Sequence, residues 1–169
     1  PASLCGTLGY KPTYGLVSTD GIVTLSWSMD HTGLMGRTSE DVAIMMNIIQ
    51  GVDSKDSGTL DLPDDDYTDY LFKDVSGLRV GLAVEALEGA DPETLRTFNA
   101  CVETFKSLGV EVVETKLPSA DAFRLANNLG LIISRVEAAA YQRAFPDAGP
   151  LYIKQVFEQL DEASKVTGV

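Results

Sequence analysis

Residues 78–117 constrain the fold most, because two short apolar runs there flank one amphipathic segment. Leu78–Val84 reads as a strand. Asp91 followed by Pro92 reads as a helix start: a short carboxylate can accept from the first free backbone N–H groups, and proline at the first helical position loses no hydrogen bond. Leu95, Phe98, Val102, Phe105 and Leu108 then recur at helical spacing, and Gly109 closes the pattern. Val110–Leu117, with Val110, Val112 and Val113, supplies a second strand. Strand, helix, strand predicts a βαβ unit with parallel strands and a right-handed crossover. The fold class that follows is α/β, with helices flanking a mixed β-sheet.

The remainder falls into regions of different character. Residues 1–36, within a first region 1–51, hold Gly6, Gly9, Gly15, Gly21, Gly33 and Gly36, which favour turns and close backbone approaches. Short β pieces fit Gly15–Ser18 and Ile22–Ser26. Thr38 caps a helix, Glu40 and Asp41 put negative charge in its first turn, and Val42, Met45, Met46 and Ile49 form its stripe up to Gly51. Residues 52–76 read as a long acidic surface loop, 77–118 as the βαβ unit, and 119–169 as helical. In that last region Ser119 caps a helix running to about Ala144, Phe145–Gly149 breaks it, and Pro150 opens another reaching about Lys165.

Charge and composition exclude several functions. With 13 Lys+Arg against 25 Asp+Glu, the net charge is −12, and so acidic a chain repels phosphate backbones. Direct nucleic-acid binding is not expected. Apolar runs are short and broken by charges, so no membrane span is expected either, and no signal-peptide pattern opens the chain. Two cysteines, Cys5 and Cys101, are too few for a disulfide scaffold and fit a reducing, cytoplasmic setting.

Individual motifs offer little complete chemistry. Cys5 and the single histidine, His31, could pair as nucleophile and base, but Cys5 reads better as a small buried residue among glycine turns, and Cys101 as part of a helix core. Asp30 beside His31 resembles part of a triad, yet sequence neighbours rarely face each other productively; a hydrogen-bonded structural histidine beside a loop aspartate is the favoured reading. One histidine without partners builds no zinc site. A calcium loop from Asp53 would put Gly58 sixth and Asp64 twelfth, but Lys55 takes the third position and the bidentate glutamate is missing. The Gly6–Thr13 stretch lacks P-loop spacing, and no dinucleotide fingerprint follows residues 78–84. No metal and no cofactor are expected.

Four blocks taken together carry a resemblance. Pro1-Ala2-Ser3-Leu4-Cys5-Gly6, Gly9-Tyr10-Lys11-Pro12-Thr13-Tyr14-Gly15, Ser26-Trp27-Ser28-Met29-Asp30-His31-Thr32-Gly33 and Arg37-Thr38-Ser39-Glu40-Asp41-Val42-Ala43 resemble the amidase signature family in order and spacing. Later stretches are similar too: Asp53-Ser54-Lys55-Asp56-Ser57, Leu78-Arg79-Val80-Gly81, Gly109-Val110-Glu111-Val112 and Glu137-Ala138-Ala139-Ala140-Tyr141. Leu34 stands where many members have proline.

The resemblance implies amide hydrolysis or transfer through a Ser-cis-Ser-Lys triad, with an acyl-enzyme and an oxyanion held by backbone N–H groups. In the family those residues precede the Pro-Ala-Ser-Leu-Cys-Gly block, so the 169 residues are expected to be an interior segment of a partial amidase-signature fold. No catalytic residue is expected within the segment, and Lys11 is not the catalytic lysine. Cys5 and Gly6 are expected just behind the nucleophile turn, with Asp30 and His31 bracing it. The expected activity of the intact enzyme is hydrolysis of a small-molecule carboxamide, with the segment alone inactive. Second readings are the A subunit of a glutamyl-tRNA amidotransferase and a non-catalytic interaction module. Expected partners are the amide substrate, and either a second copy or the missing parts of the same fold.

Overall fold

The computed structural model describes residues 1–63 and 65–166. Thr38 starts the best-defined helix of the first half. Its side chain accepts from the Asp41 N–H while the Asp41 carboxylate accepts from the Thr38 N–H, a reciprocal cap that satisfies two otherwise orphaned donors. The helix, α2 (Ser39–Ile49), follows α1 (Ala2–Cys5), β1 (Leu8–Tyr10) and β2 (Leu34–Gly36). Val42 and Met46 of α2 pack with Val17 and Leu34 into a core that Leu16, Ile49 and Tyr67 border. Met45, expected in the same stripe, lies on the exposed side.

The first third departs from the sequence expectation in its strands. Neither Gly15–Ser18 nor Ile22–Ser26 forms a strand. Val17 makes only an isolated antiparallel bridge to Gln50, and the ladder forms instead between β1 and β2, with Gly9 opposite Met35. The 14–26 backbone spends its hydrogen bonds on turns, on the acidic loop and on the segment that follows α2: Leu60 N–H donates to the Gly15 carbonyl, and Gly51 N–H to that of Leu16.

The βαβ unit forms as expected, with shorter strands. β3 (Arg79–Leu82) and β4 (Glu111–Glu114) pair in parallel, Val80 opposite Val112 and Gly81 opposite Val113. Between them runs α3 (Pro92–Ser107), whose cap Asp91 accepts from the Glu93 and Thr94 N–H groups. Leu95, Phe98 and Val102 are half-buried, while Phe105 and Leu108 are exposed. Val84, expected to end the strand, instead starts a 3-10 turn, Val84–Leu87. The chain is thus mixed α/β, and among the described residues its strands lie in two two-stranded sheets, one antiparallel and one parallel.

α4 (Ala120–Gln142) follows the Ser119 cap, whose hydroxyl accepts from the Ala122 N–H. Pro150 does not open the last helix. It lies inside the 3-10 turn Pro146–Leu151, and α5 (Lys154–Ser164) starts after it. A further 3-10 turn, Tyr67–Tyr70, interrupts the acidic loop. The chain divides into two compact units: Pro1–Leu71 with Ala126–Val169, and Phe72–Leu125, which holds the βαβ unit. No helix among the described residues is long and apolar enough to cross a membrane.

Candidate functional site

The site residues expected from the sequence fall in two places. Asp30 and His31 lie on the loop Leu25–His31, and Cys5 and Gly6 at the end of α1. Cys5 is exposed rather than buried, and Gly6, with φ +64°, caps α1 in the left-handed region. Cys101, expected in a helix core, is also exposed: it sits on α3 between the half-buried positions 98 and 102 and turns away from them.

Asp30 and His31 do not serve each other. The Asp30 Oδ2 accepts from the Leu25 and Ser26 N–H groups at 2.8 and 2.9 Å, while the Asp30 N–H donates to the Ser26 carbonyl at 2.7 Å. Its carboxylate thus closes the turn on itself. His31 Nδ1 lies 2.6 Å from the Met29 carbonyl, a contact in which only the ring nitrogen can donate, so the geometry calls for the Nδ1–H tautomer. The ring edge meets Tyr14 at a 5.4 Å centroid distance, and the Tyr14 hydroxyl donates to the Trp27 carbonyl at 3.0 Å. Asp30 and His31 do share the lining of a small cavity of about 10 Å³ with Tyr14, Thr19 and Asp56, large enough for roughly one water. Cys5 and Gly6 are not part of that lining.

The acidic loop braces the same region. Asp56 accepts from the Thr19 N–H and hydroxyl on Oδ2 and from the Gly58 N–H on Oδ1, at 2.8–2.9 Å. Those donors, the Thr19 and Gly58 backbone first, hold its carboxyl below the ordinary aspartate range. Asp53 accepts from the Lys55 N–H and the Ser18 hydroxyl, with the same effect. These carboxylates are spent on loop geometry, and among the described residues no group of three or more His, Cys, Asp or Glu is placed to hold a metal. Asp64, the twelfth position of the calcium spacing, lies outside the described residues.

Glu137, on α4, takes a part in this region that its place in the sequence does not announce, reaching the loop from more than a hundred residues away. Its Oε2 accepts from the Ser26 hydroxyl at 2.6 Å and the Ser28 N–H at 3.1 Å, and its Oε1 from the Ser28 hydroxyl at 2.7 Å. Burial works against its charge, but the donors outweigh it and leave the carboxyl below the usual glutamate value. In the sequence Glu137 opens the Glu137-Ala138-Ala139-Ala140-Tyr141 stretch that resembles the family, but nothing there links it to residues 25–31; the structure buries Ala138 and Ala139 beside it, and a carboxylate in such a setting needs partners.

Comparison with known proteins places these features in a family. The sequence pattern described as "Amidase" matches residues 1–167. The A subunit of the glutamyl-tRNA(Gln) amidotransferase from Fusobacterium nucleatum is 45% identical over 119 residues, 70% of this chain and 24% of that protein. Among solved structures, the A subunit of the Thermotoga maritima glutamyl-tRNA(Gln) amidotransferase superposes with a TM-score of 0.71 at 28% identity, over 97% of this chain and 36% of the other. Native peptide amidase from Stenotrophomonas maltophilia superposes with a TM-score of 0.72 at 26% identity, over 96% and 38%. The chain spans about a quarter of the length of the curated relatives it matches. With its mixed α/β fold and a family match over nearly every residue, the chain belongs to the amidase family, the amidase signature enzymes.

Proposed function

We propose that this chain serves in an amide-handling enzyme of the kind named as the A subunit of glutamyl-tRNA(Gln) amidotransferase. The observation that carries the reading is the high sequence identity to curated proteins of that name. Fold similarity does not separate the alternatives, because a peptide amidase and an amidotransferase subunit superpose equally well. This reverses the order of the two expectations drawn from the sequence, where hydrolysis of a small-molecule carboxamide comes first.

In this reading the reacting groups are a serine nucleophile, a bridging serine and a lysine outside residues 1–169. The Leu25–His31 loop, with Asp30 and His31, and the α1 end, with Cys5 and Gly6, border the acyl site and touch no reacting atom. The net charge of −12 leaves tRNA to be held by partner subunits, and the setting is cytoplasmic.

The test is expression of the full-length protein that carries this segment, with its candidate B and C subunits. Stoichiometric copurification and ammonia release from glutamine are expected. No association, together with turnover of simple carboxamides by the protein alone, overturns the reading in favour of a free-standing amidase. The 169 residues by themselves are expected to release no ammonia from glutamine; measurable, serine-reagent-sensitive hydrolysis would contradict the absence of the triad.

A further inference from the structure

We propose that Glu137 is the positioning residue of the Leu25–His31 loop, fixing through its three accepted hydrogen bonds the conformation in which Trp27, Asp30 and His31 are presented. The proposal concerns the loop's conformation and does not depend on which amide the enzyme handles. Three observations converge on it. Ser26 is 1% exposed, and a hydroxyl so buried needs a partner; Glu137 provides it at 2.6 Å. Both bonds to Ser28 and the one to Ser26 end on the same carboxylate, so the residues on either side of Trp27 are tied to one point on α4. The Trp27 carbonyl accepts from the Tyr14 hydroxyl at 3.0 Å, while its side chain stays 54% exposed.

Apart from the Tyr14 hydroxyl on the Trp27 carbonyl, the loop's other side-chain bonds among the described residues are local. Asp30 bonds back to residues 25 and 26, and His31 to residue 29. They shape the turn but tie it to nothing more distant. Tyr14 reaches it from another turn of the same glycine-rich region. Glu137 supplies the bonds that anchor the loop to a long helix, and hydrogen bonds to an ionised acceptor are the stronger kind.

Because the chain has a single tryptophan, Trp27 reports on its own loop. The experiment uses the full-length protein that carries this segment, with any tryptophan outside residues 1–169 replaced by phenylalanine, and compares fluorescence anisotropy decay and acrylamide quenching of Trp27 in that protein and in its Glu137→Ala, Glu137→Gln and Ser28→Ala variants. Glutamine can keep all three contacts: its carbonyl accepts from the Ser26 hydroxyl and the Ser28 N–H, and the Ser28 hydroxyl turns to accept from the amide. Glu137→Ala is expected to raise the quenching constant about twofold and to add a fast anisotropy component, with far-UV circular dichroism unchanged. Glu137→Gln is expected to restore most of the wild-type signal, and Ser28→Ala to fall between. A wild-type signal in Glu137→Ala overturns the proposal. If Glu137→Ala does not fold, the exposed Ser28→Ala decides, and a wild-type signal there overturns it equally.

Discussion

At Gly15 the backbone turns left-handed, with φ +82°, and passes so close to the acidic loop that an added Cβ would sit 2.5 Å from the Gly58 carbonyl and 3.0 Å from the Leu60 side chain. Gly6 has a similar left-handed φ of +64°, but nothing lies within 4 Å of its missing Cβ. The two positions separate strain from collision. Gly6→Ala should cost only the conformational penalty, about 1 kcal/mol. Gly15→Ala carries the same penalty plus a clash with backbone that cannot step aside, because Leu60 N–H donates to the Gly15 carbonyl across the same approach. Urea denaturation of the two variants is expected to show Gly15→Ala as clearly the less stable. Equal midpoints would mean that the 14–19 and 53–60 segments are not held together as described.

At the scale of elements, α2 carries both a local and a tertiary commitment. Its reciprocal cap is local, and its Met46 is 1% exposed at the centre of the first unit's core. Thr38→Ala is expected to cost about 1 kcal/mol. Met46→Ala is expected to cost about 3 kcal/mol, because it leaves a cavity as well as losing buried surface. Thermal melts should rank them in that order; the reverse would place the helix's stability in its cap rather than its packing. The same contrast explains which parts of the fold are legible in the sequence. The Thr38 and Asp91 caps, the first three positions of the α3 stripe and the βαβ order are set by residues within a few positions of one another, and these appear, while Phe105 and Leu108 of the stripe are exposed. β1 and β2 are not legible: each has three residues, they are far apart in sequence, and all three β1 residues are exposed, so no alternation marks them. The candidate site divides the same way. Asp30 and His31 stand out as adjacent polar residues inside a block that resembles the family, and the structure places both on the Leu25–His31 loop. The Glu137 clamp is hidden because it joins residues more than a hundred positions apart, and periodicity carries no information at that range. Cys5 and Cys101 are exposed against expectation for a related reason, since small apolar residues are often buried and only tertiary contacts show when they are not.

Across the whole molecule the accessible surface is the controlling quantity. A compact monomer of 18.1 kDa should expose roughly 8,100 Å². Treating the two units as wholly separate globules raises that only to roughly 9,600 Å². The chain exposes 12581 Å², well above either figure, so the excess does not depend on how the units are arranged. Much of it is apolar: Leu4, Phe72 and Leu151 are each more than 80% exposed, and on α4 Phe123, Leu125, Leu129, Leu131, Ile132 and Ile133 are all exposed. Apolar surface on this scale is unusual for a protein that stays monomeric in water. The solved relatives cover the same segment with chains almost three times as long, which fits surfaces that meet other protein in the family. The 169-residue chain is therefore expected to self-associate and to bind a hydrophobic dye. Size-exclusion chromatography with light scattering should give a mass above 18.1 kDa that rises with concentration. The net charge of −12 opposes association through long-range repulsion, so the mass should also rise with salt, as screening weakens that repulsion and leaves apolar contact intact. A mass of 18.1 kDa at every concentration and salt level, without dye binding, would show that the exposed apolar residues are covered within the chain itself.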